Sequence, residues 1–521
     1  MSAAGYVVHQ PRTASHTDPP TLLGPSGPER TDAVAQACIE DLHLDAVVAA
    51  MAPGEFQRGV WRRPLRDPEQ IGYRQDVVRD LQRTDLRAAA ASFEAAVTAS
   101  GNAIAARAKA HYQLPADLDT LEAIRRFTVA VRDFRVRLDQ LEPRSAGLTG
   151  VAEWLADYEG SDRFRDLAAG CAASLVEVRG PAVELGLQSG TVWAAQDSGR
   201  QPWGEQVESF FSRFATPTGD ASAVPARPRR YLNHVEAQAI GLVAELLPDA
   251  FERLHRFATA HAHFLPAELD RLGEELRFYL GFLKVADGLA ARGVPWCLPR
   301  VREPGGGPVD LAGFVDLALA LKAGADDDPP VPNSLVLRPD ERLVFVTGPN
   351  QGGKTTFVRA VGQLAHLTSL GLPVPARSAS LPVVNPVLTH FPRPDDPANQ
   401  RGGLADELVR LRDVLAAADG SALLVLNELF SATTAEDALQ LSERVLGRFE
   451  EAGCRVLWVT FLEELVTATD GAVSMVGQVA SDDPTRPTFR FRPQPPAGRT
   501  HAAALAARHG LSGDDLARRL R

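Results

Sequence analysis

From Leu121 to Leu141, apolar residues recur at alternating spacings of three and four: Leu121, Ile124, Phe127, Val131, Phe134, Leu138 and Leu141. Arg, Asp, Glu and Gln fill most positions between them, so the pattern predicts one apolar stripe on a long amphipathic helix. Leu272, Leu276, Tyr279, Leu280, Leu283 and Ala286 predict a second. Helical periodicity dominates from about residue 35 to 300. Between Val176 and Ala194 the glycines Gly180, Gly186 and Gly190 break up runs of Val and Leu, which predicts a small β-insertion. Residues 1–34 are rich in Pro, Ser, Thr and Gly with few periodic apolar positions, and read as a disordered tail.

The pattern changes beyond Glu303-Pro304-Gly305-Gly306-Gly307-Pro308, which reads as a hinge or linker. Leu343–Thr347, Leu423–Leu426 and Val456–Thr460 are short apolar runs, each followed by a helical pattern. That alternation predicts buried strands in a mainly parallel sheet of an α/β domain.

Composition narrows the class. The chain has 521 residues, 45% hydrophobic and 23% charged, within the ordinary globular range. No apolar run is long enough to span a membrane, and no basic flank with an apolar core opens the chain, so a cytoplasmic, membrane-free protein is expected. Cys38, Cys171, Cys297 and Cys454 are far apart and form no CxxC pair, which fits reduced thiols better than disulfides or zinc. The net charge of −11 gives no bulk attraction to nucleic acid. Any DNA contact would need a local basic surface, such as Arg62, Arg63 and Arg66 or Arg227, Arg229 and Arg230. His255, His261 and His263 cluster without a completing ligand set and read as helix-surface histidines. Asp326-Asp327-Asp328 reads as a loop.

The chemistry centres on Gly348-Pro349-Asn350-Gln351-Gly352-Gly353-Lys354-Thr355, which fits GxxxxGK[ST] between a predicted strand and helix. Glycines let backbone amides curl around phosphate oxygens, and the following helix offers the positive end of its dipole. Lys354 can reach the β- and γ-phosphates of ATP, Thr355 can ligate Mg²⁺, and Thr356 continues the phosphate-facing turn. Leu423–Glu428 is an apolar strand ending in polar residues. Glu428 is the candidate general base or water-orienting group. Asn427 stands where a P-loop ATPase normally carries an Asp, able to hold Mg²⁺ through a water but bringing no charge. Weaker metal binding and slow hydrolysis are expected from it.

Around these residues the chain resembles the MutS mismatch-repair ATPases. The segment 348–360, GPNQGGKTTFVRA, is similar to that family's GPNMGGKST loop, and Pro332-Asn333 to its VPN segment beside the nucleotide, which makes Asn333 a candidate contact. Val374-Pro375-Ala376 matches a VPA after the first helix. Asp395-Asp396 through Glu407 lies at the family's signature segment, and Asn427-Glu428 through Thr433 and Asp437 at its DE…GTST…D stretch. Upstream, Trp61–Asp67 with Ile71, Arg74, Val77 and Leu81 looks like the start of the family's core or lever domain. Gly498–Leu511 resembles its helix-turn-helix-like end. Departures are Asn427, Arg401-Gly402-Gly403 in place of the signature Arg-Ser-Thr, and Phe461 in place of a switch histidine.

The resemblance implies a multidomain chain. An all-α core or lever-like domain spans 35–302, an α/β P-loop ATPase domain 303–500 and a helical segment 501–521. Neither the mismatch-reading domain nor the Smr domain is expected. A homodimer joined through the ATPase domains would act as an ATP-gated clamp on double-stranded DNA, branched or distorted forms included. Two other classes stay open: a nucleotide-gated ATPase that grips another protein, and an ABC- or SMC-like ATPase, for which QRGGL at 400–404 is a faint signature.

Overall fold

The computed structural model describes residues 21–24, 33–51, 54–181, 183–188, 191–196, 234–305, 307–324, 327–393, 403–483 and 485–495. The chain divides into two compact units. The C-terminal segment 501–521, Arg227, Arg229, Arg230, Asp395, Asp396, Arg401 and Gly402 lie outside the described residues, as does most of the expected tail.

One unit comprises Asp85–Pro143 and Leu148–Leu276 and is mainly helical. The stripe beginning at Leu121 falls on the helix Gln113–Leu141, with every member from Leu121 to Leu138 buried. This helix starts eight residues before the stripe. Pro115 sits in its first turn, where the missing N–H breaks no intrahelical bond. Phe134 stacks on Phe93 of the helix Thr84–Arg107 at 4.5 Å, and Phe127 meets Phe264 edge-on. Gly170 lets the helix Asp162–Arg179 approach Phe257, whose ring edge would lie 2.7 Å from an added Cβ. The expected β-insertion is a hairpin of β1 (Val183–Gln188) and β2 (Thr191–Gln196). His255 Nδ1 lies 2.8 Å from the buried Asp117 carboxylate, and His261 Nδ1 lies 2.9 Å from the Phe257 carbonyl. Among the described residues no group of three His, Cys, Asp or Glu could hold a metal.

The other unit gathers Thr21–Thr84, Arg144–Gly147 and the chain from Arg277 onward. Its strands are β3 (Arg300–Arg302), β4 (Val309–Phe314), β5 (Asn333–Leu337), β6 (Leu343–Thr347), β7 (Ser378–Pro382), β8 (Val387–His390), β9 (Leu423–Asn427), β10 (Arg455–Val459), β11 (Val473–Val479) and β12 (Pro487–Pro493). The six-stranded sheet runs β12-β11-β6-β10-β9-β8 and is parallel except for the edge strand β12. β6, β9 and β10 are the three expected apolar runs. Phe345, Leu424, Leu426 and Trp458 are almost completely buried in its core. A second sheet, β3-β7-β4-β5, is mixed.

Thr21–Thr84 packs with these sheets, a grouping that differs from the linear division at residue 302. The helix Lys354–Ser369 explains why. Its Gln363 is fully buried and donates to the Leu42 carbonyl at 2.9 Å, while Gly362 leaves room for the Leu42 side chain. His366 stacks on Trp61 and bonds its carbonyl. Ile71, Arg74, Val77 and Leu81 are all buried, and Arg74 donates to the carbonyls of Leu23 and Leu370. Thr21–Gly24 corrects the tail expectation locally. Leu22 and Leu23 are buried, and Tyr279 donates to the Leu22 carbonyl. All four cysteines are free, and burial pushes the Cys171 and Cys454 thiols up to about 11. No described helix is long and apolar enough to cross a membrane.

Candidate functional site

β6 delivers the chain at Thr347 into the turn Gly348–Gly353, and a helix starts at Lys354. Two of the turn's glycines are required by its path. Gly348 has φ 135°, and an added Cβ would lie 3.0 Å from the Gly477 nitrogen of β11. Gly353 caps the helix at φ 87°. Gln351 also adopts a left-handed φ of 60°, unusual for a residue with a Cβ. The first helical hydrogen bond runs from the Phe357 amide to Gly353, so the amides of Lys354, Thr355 and Thr356 have no intrahelical acceptor. That is an anion cradle.

Lys354 is buried, and its ammonium donates to the carbonyls of Gly348 (3.0 Å) and Pro349 (3.2 Å) and to Asn350 Oδ1 (3.4 Å). Burial lowers its pKa, and the charge of Glu428 acts the other way. The Thr355 hydroxyl donates to Asn427 Oδ1 at 3.0 Å, joining the phosphate-loop helix to the end of β9. Glu428 follows at φ 49°, its amide donating to Val459 of β10 at 2.8 Å. Two residues on, the Phe430 amide donates to the Glu407 carboxylate at 2.8 Å, so the helix Gly403–Ala417 holds the loop that carries Glu428. Burial raises the Glu407 pKa, more than that bond lowers it.

These groups line a cleft of about 760 Å³. Pro349–Thr356 and Glu428 form its polar end, and Phe314, Val315, Pro330, Val331 and Phe489 contribute an apolar wall. Asn333 sits on the rim. Its side chain donates to the Phe489 carbonyl at 2.9 Å and accepts from the Phe491 amide at 2.9 Å, tying β5 to β12. Thus Gly348 to Thr356, Asn427, Glu428 and Asn333 all gather at one place. The hydroxyl of Thr355, the amide oxygen of Asn427 and the carboxylate of Glu428 are hard oxygen donors, the set that suits a Mg²⁺ keeping several waters and phosphate ligands.

The sequence profile of MutS domain V, a P-loop ATPase domain, matches residues 344–489, from β6 to the cleft wall at Phe489. A protein named DNA mismatch repair protein MutS from Natronomonas pharaonis is 26% identical over 457 residues, covering 81% of this chain and 52% of that relative. The chain is thus similar to MutS proteins over most of its length. A MutS from Streptococcus pneumoniae (strain Hungary19A-6) is 28% identical over 192 residues, 36% of this chain and 23% of the relative. The protein named HexA from S. pneumoniae serotype 4 matches to the same extent. The chain thus spans about half the length of one such relative and under a quarter of the others.

Two of the positions that depart from the MutS pattern are described. Asn427 accepts from the Thr355 hydroxyl, and Phe461, just beyond β10, is 51% exposed. Motif reading missed the apolar wall and the buried Asp316 beside it. Asp316 is engaged by Arg359 at 3.4 Å, by the Leu319 amide and by Gln363. Its only sequence signal was a lone Asp ahead of the short apolar helix Leu317–Lys322, the mark of a helix cap. Of the basic cluster near the N-terminus, Arg62 and Arg63 are partly buried and Arg66 is exposed.

Proposed function

We propose that this chain binds ATP with Mg²⁺ in the cleft and hydrolyses it slowly, and that nucleotide occupancy gates a homodimeric clamp on DNA. The observation that carries the nucleotide reading is the pairing of a buried Lys354 ammonium with the Thr355–Asn427 contact across one cradle of amides. Gly348–Thr356 would wrap the phosphates, with Lys354 neutralising the terminal ones. Thr355 would hold Mg²⁺ directly and Asn427 through a water. Glu428 would orient the attacking water and accept its proton. Asn333 would brace the rim beside the nucleoside. In this reading residues 35–302 act as a core or lever-like part and 303–500 as the ATPase, with 501–521 supporting dimerisation. Closure around γ-phosphate and reopening after hydrolysis would pass along the levers. Relatives named for DNA mismatch repair support DNA as the partner. A cytoplasmic setting fits the free thiols.

A second reading, a clamp on another protein, is favoured by charge. In Leu148–Leu276 acidic side chains outnumber basic ones, which suits a basic protein surface better than a phosphate backbone.

The test is calorimetric ATP binding and phosphate release for wild type, Lys354→Ala and Glu428→Gln. Lys354→Ala should weaken binding at least about tenfold, the worth of one charge-assisted contact. Glu428→Gln should keep affinity and lose turnover at least about a hundredfold, as expected of a general base. Equal turnover in wild type and Glu428→Gln would remove Glu428 from its role. Polarisation with homoduplex, mismatched and junction DNA, with and without ATP, separates the partners; no binding at low salt favours the protein.

A further inference from the structure

We propose that Asn427 frees nucleotide binding from its usual dependence on metal, so that the cleft holds a metal-free triphosphate about as tightly as the magnesium complex. The inference rests on the reading that the cleft binds ATP, and it concerns which charged form is admitted.

In P-loop ATPases the metal is shared between the loop's Ser or Thr and an acidic residue at the end of a neighbouring strand. That carboxylate does two things. It attracts the cation, and it repels a triphosphate that arrives without one. Affinity therefore becomes coupled to Mg²⁺. Here the group meeting the Thr355 hydroxyl at 3.0 Å is the amide oxygen of Asn427, at the last position of β9. Asn427 is only 8% exposed, so water screens little of whatever charge stands there.

The remaining charges of the cleft do not replace the missing carboxylate. Among the described residues, Glu428 is the one charged group that acts on Lys354. Asp316, the other acid among the described residues lining the cleft, faces Arg359 at 3.4 Å, the Leu319 amide and the Gln363 side chain. Among the described residues the phosphate end therefore balances one ammonium against one carboxylate, where an acidic residue at position 427 would leave it net negative. A γ-phosphate without its cation meets the Lys354 ammonium and the cradle amides, and at position 427 a neutral amide where a carboxylate would repel it. Hydrolysis, which needs a cation to neutralise charge on the transferring phosphoryl group, stays metal-dependent. Binding and turnover thereby part company. The site retains nucleotide when metal is scarce and consumes it only when metal is present.

Calorimetry of the full chain with ATP, in excess MgCl₂ or in EDTA at matched ionic strength, tests this in wild type, Asn427→Asp and Asn427→Ala. Wild-type affinity should change by no more than about threefold between the two buffers. Asn427→Asp should lose about tenfold or more in EDTA and regain it with Mg²⁺, the effect of one unit charge near the terminal phosphate. Asn427→Ala removes the amide but stays neutral, so whatever affinity it keeps should likewise change by no more than about threefold between the two buffers. A tenfold loss by wild type in EDTA overturns the inference, as does an Asn427→Asp variant indifferent to metal or an Asn427→Ala variant dependent on it. Should Asn427→Asp fail to fold by circular dichroism, the wild-type comparison still decides. No heat from wild type in either buffer would bring down the ATP reading and this inference together. Heat lost only in EDTA would bring down the inference alone.

Discussion

Gly348 shows how little freedom the phosphate loop has at the level of single atoms. A methyl group there would press on main-chain atoms of β11, at 3.0 Å from the Gly477 nitrogen and 3.1 Å from its Cα, and its φ of 135° disfavours any L side chain. Neither neighbour is the mobile tip of a side chain, so the loop itself must move. Gly348→Ala should therefore cost about 1–3 kcal/mol of stability in urea unfolding, the range for a strained backbone position. It should also weaken ATP binding, because the Gly348 carbonyl is the nearest acceptor of the Lys354 ammonium at 3.0 Å. Unchanged unfolding with unchanged affinity would mean that the loop and β11 can part freely. Lys354, Thr355 and Gly348 were legible from spacing alone, because phosphate binding demands those residue types in that order. Phe489 was not. It reaches the cleft wall through Asn333, 156 residues away in sequence, and no local pattern encodes such a bond.

Among the elements, the helix Lys354–Ser369 carries the most, with its N-terminus at the cradle of amides and its flank against Thr21–Thr84. Gln363 is the tie. Its amide donates to Leu42 (2.9 Å) and Asp316 (3.1 Å), and its oxygen accepts from the Leu317 amide (2.8 Å). Gln363→Leu preserves bulk but strands the Leu317 amide and the Leu42 carbonyl in a dry interior. It should cost about 2–4 kcal/mol, read as a lower urea midpoint at unchanged slope. A cost below about 0.5 kcal/mol, the level of ordinary surface changes, would show that water or neighbours replace all three bonds. The sequence revealed β6, β9 and β10 readily, since strands buried on both faces are continuous apolar runs. It did not reveal β3-β7-β4-β5 as a sheet. Arg300–Arg302 and Ser378–Pro382 are short and mixed, and they pair only because distant chain brings them together. Likewise, the general helical periodicity from about residue 35 does not say what covers Leu42 and Trp61, which meet the helix Lys354–Ser369.

For the molecule as a whole, acid should be the weak side of stability, and the main cause lies in the two most deeply buried of the described imidazoles whose pKa is lowered. His366 is completely enclosed, and burial pushes its pKa down to about 4 even though the Trp61 carbonyl opposes the shift. His390 at the end of β8 is likewise pushed down to about 4, by burial first and Arg410 next. A histidine held neutral in the native state but free to protonate near pH 6.5 when unfolded favours the unfolded chain as pH falls. The contribution is complete above about pH 6.5 and drains away toward pH 4, reaching about 2 kcal/mol per ring at pH 5. Asp41 and Glu407, whose carboxyls burial raises, act with the opposite sign, losing stability as pH rises through their native values. Total stability against pH therefore mixes the two, and a variant must separate them. His366→Gln can keep a donor for Trp61 while removing the titration. Unfolding in urea at about pH 7.5 and pH 5, followed by tryptophan emission, should show a larger acid loss in wild type than in His366→Gln, by about 2 kcal/mol. Parallel losses would place the acid sensitivity elsewhere. The same protonation would press directly on the stack of His366 and Trp61, at 6.1 Å. Loosening that stack frees the flank of the helix whose first turn forms the phosphate cradle, so ATP affinity should fall with pH in step with stability in wild type and less steeply in His366→Gln.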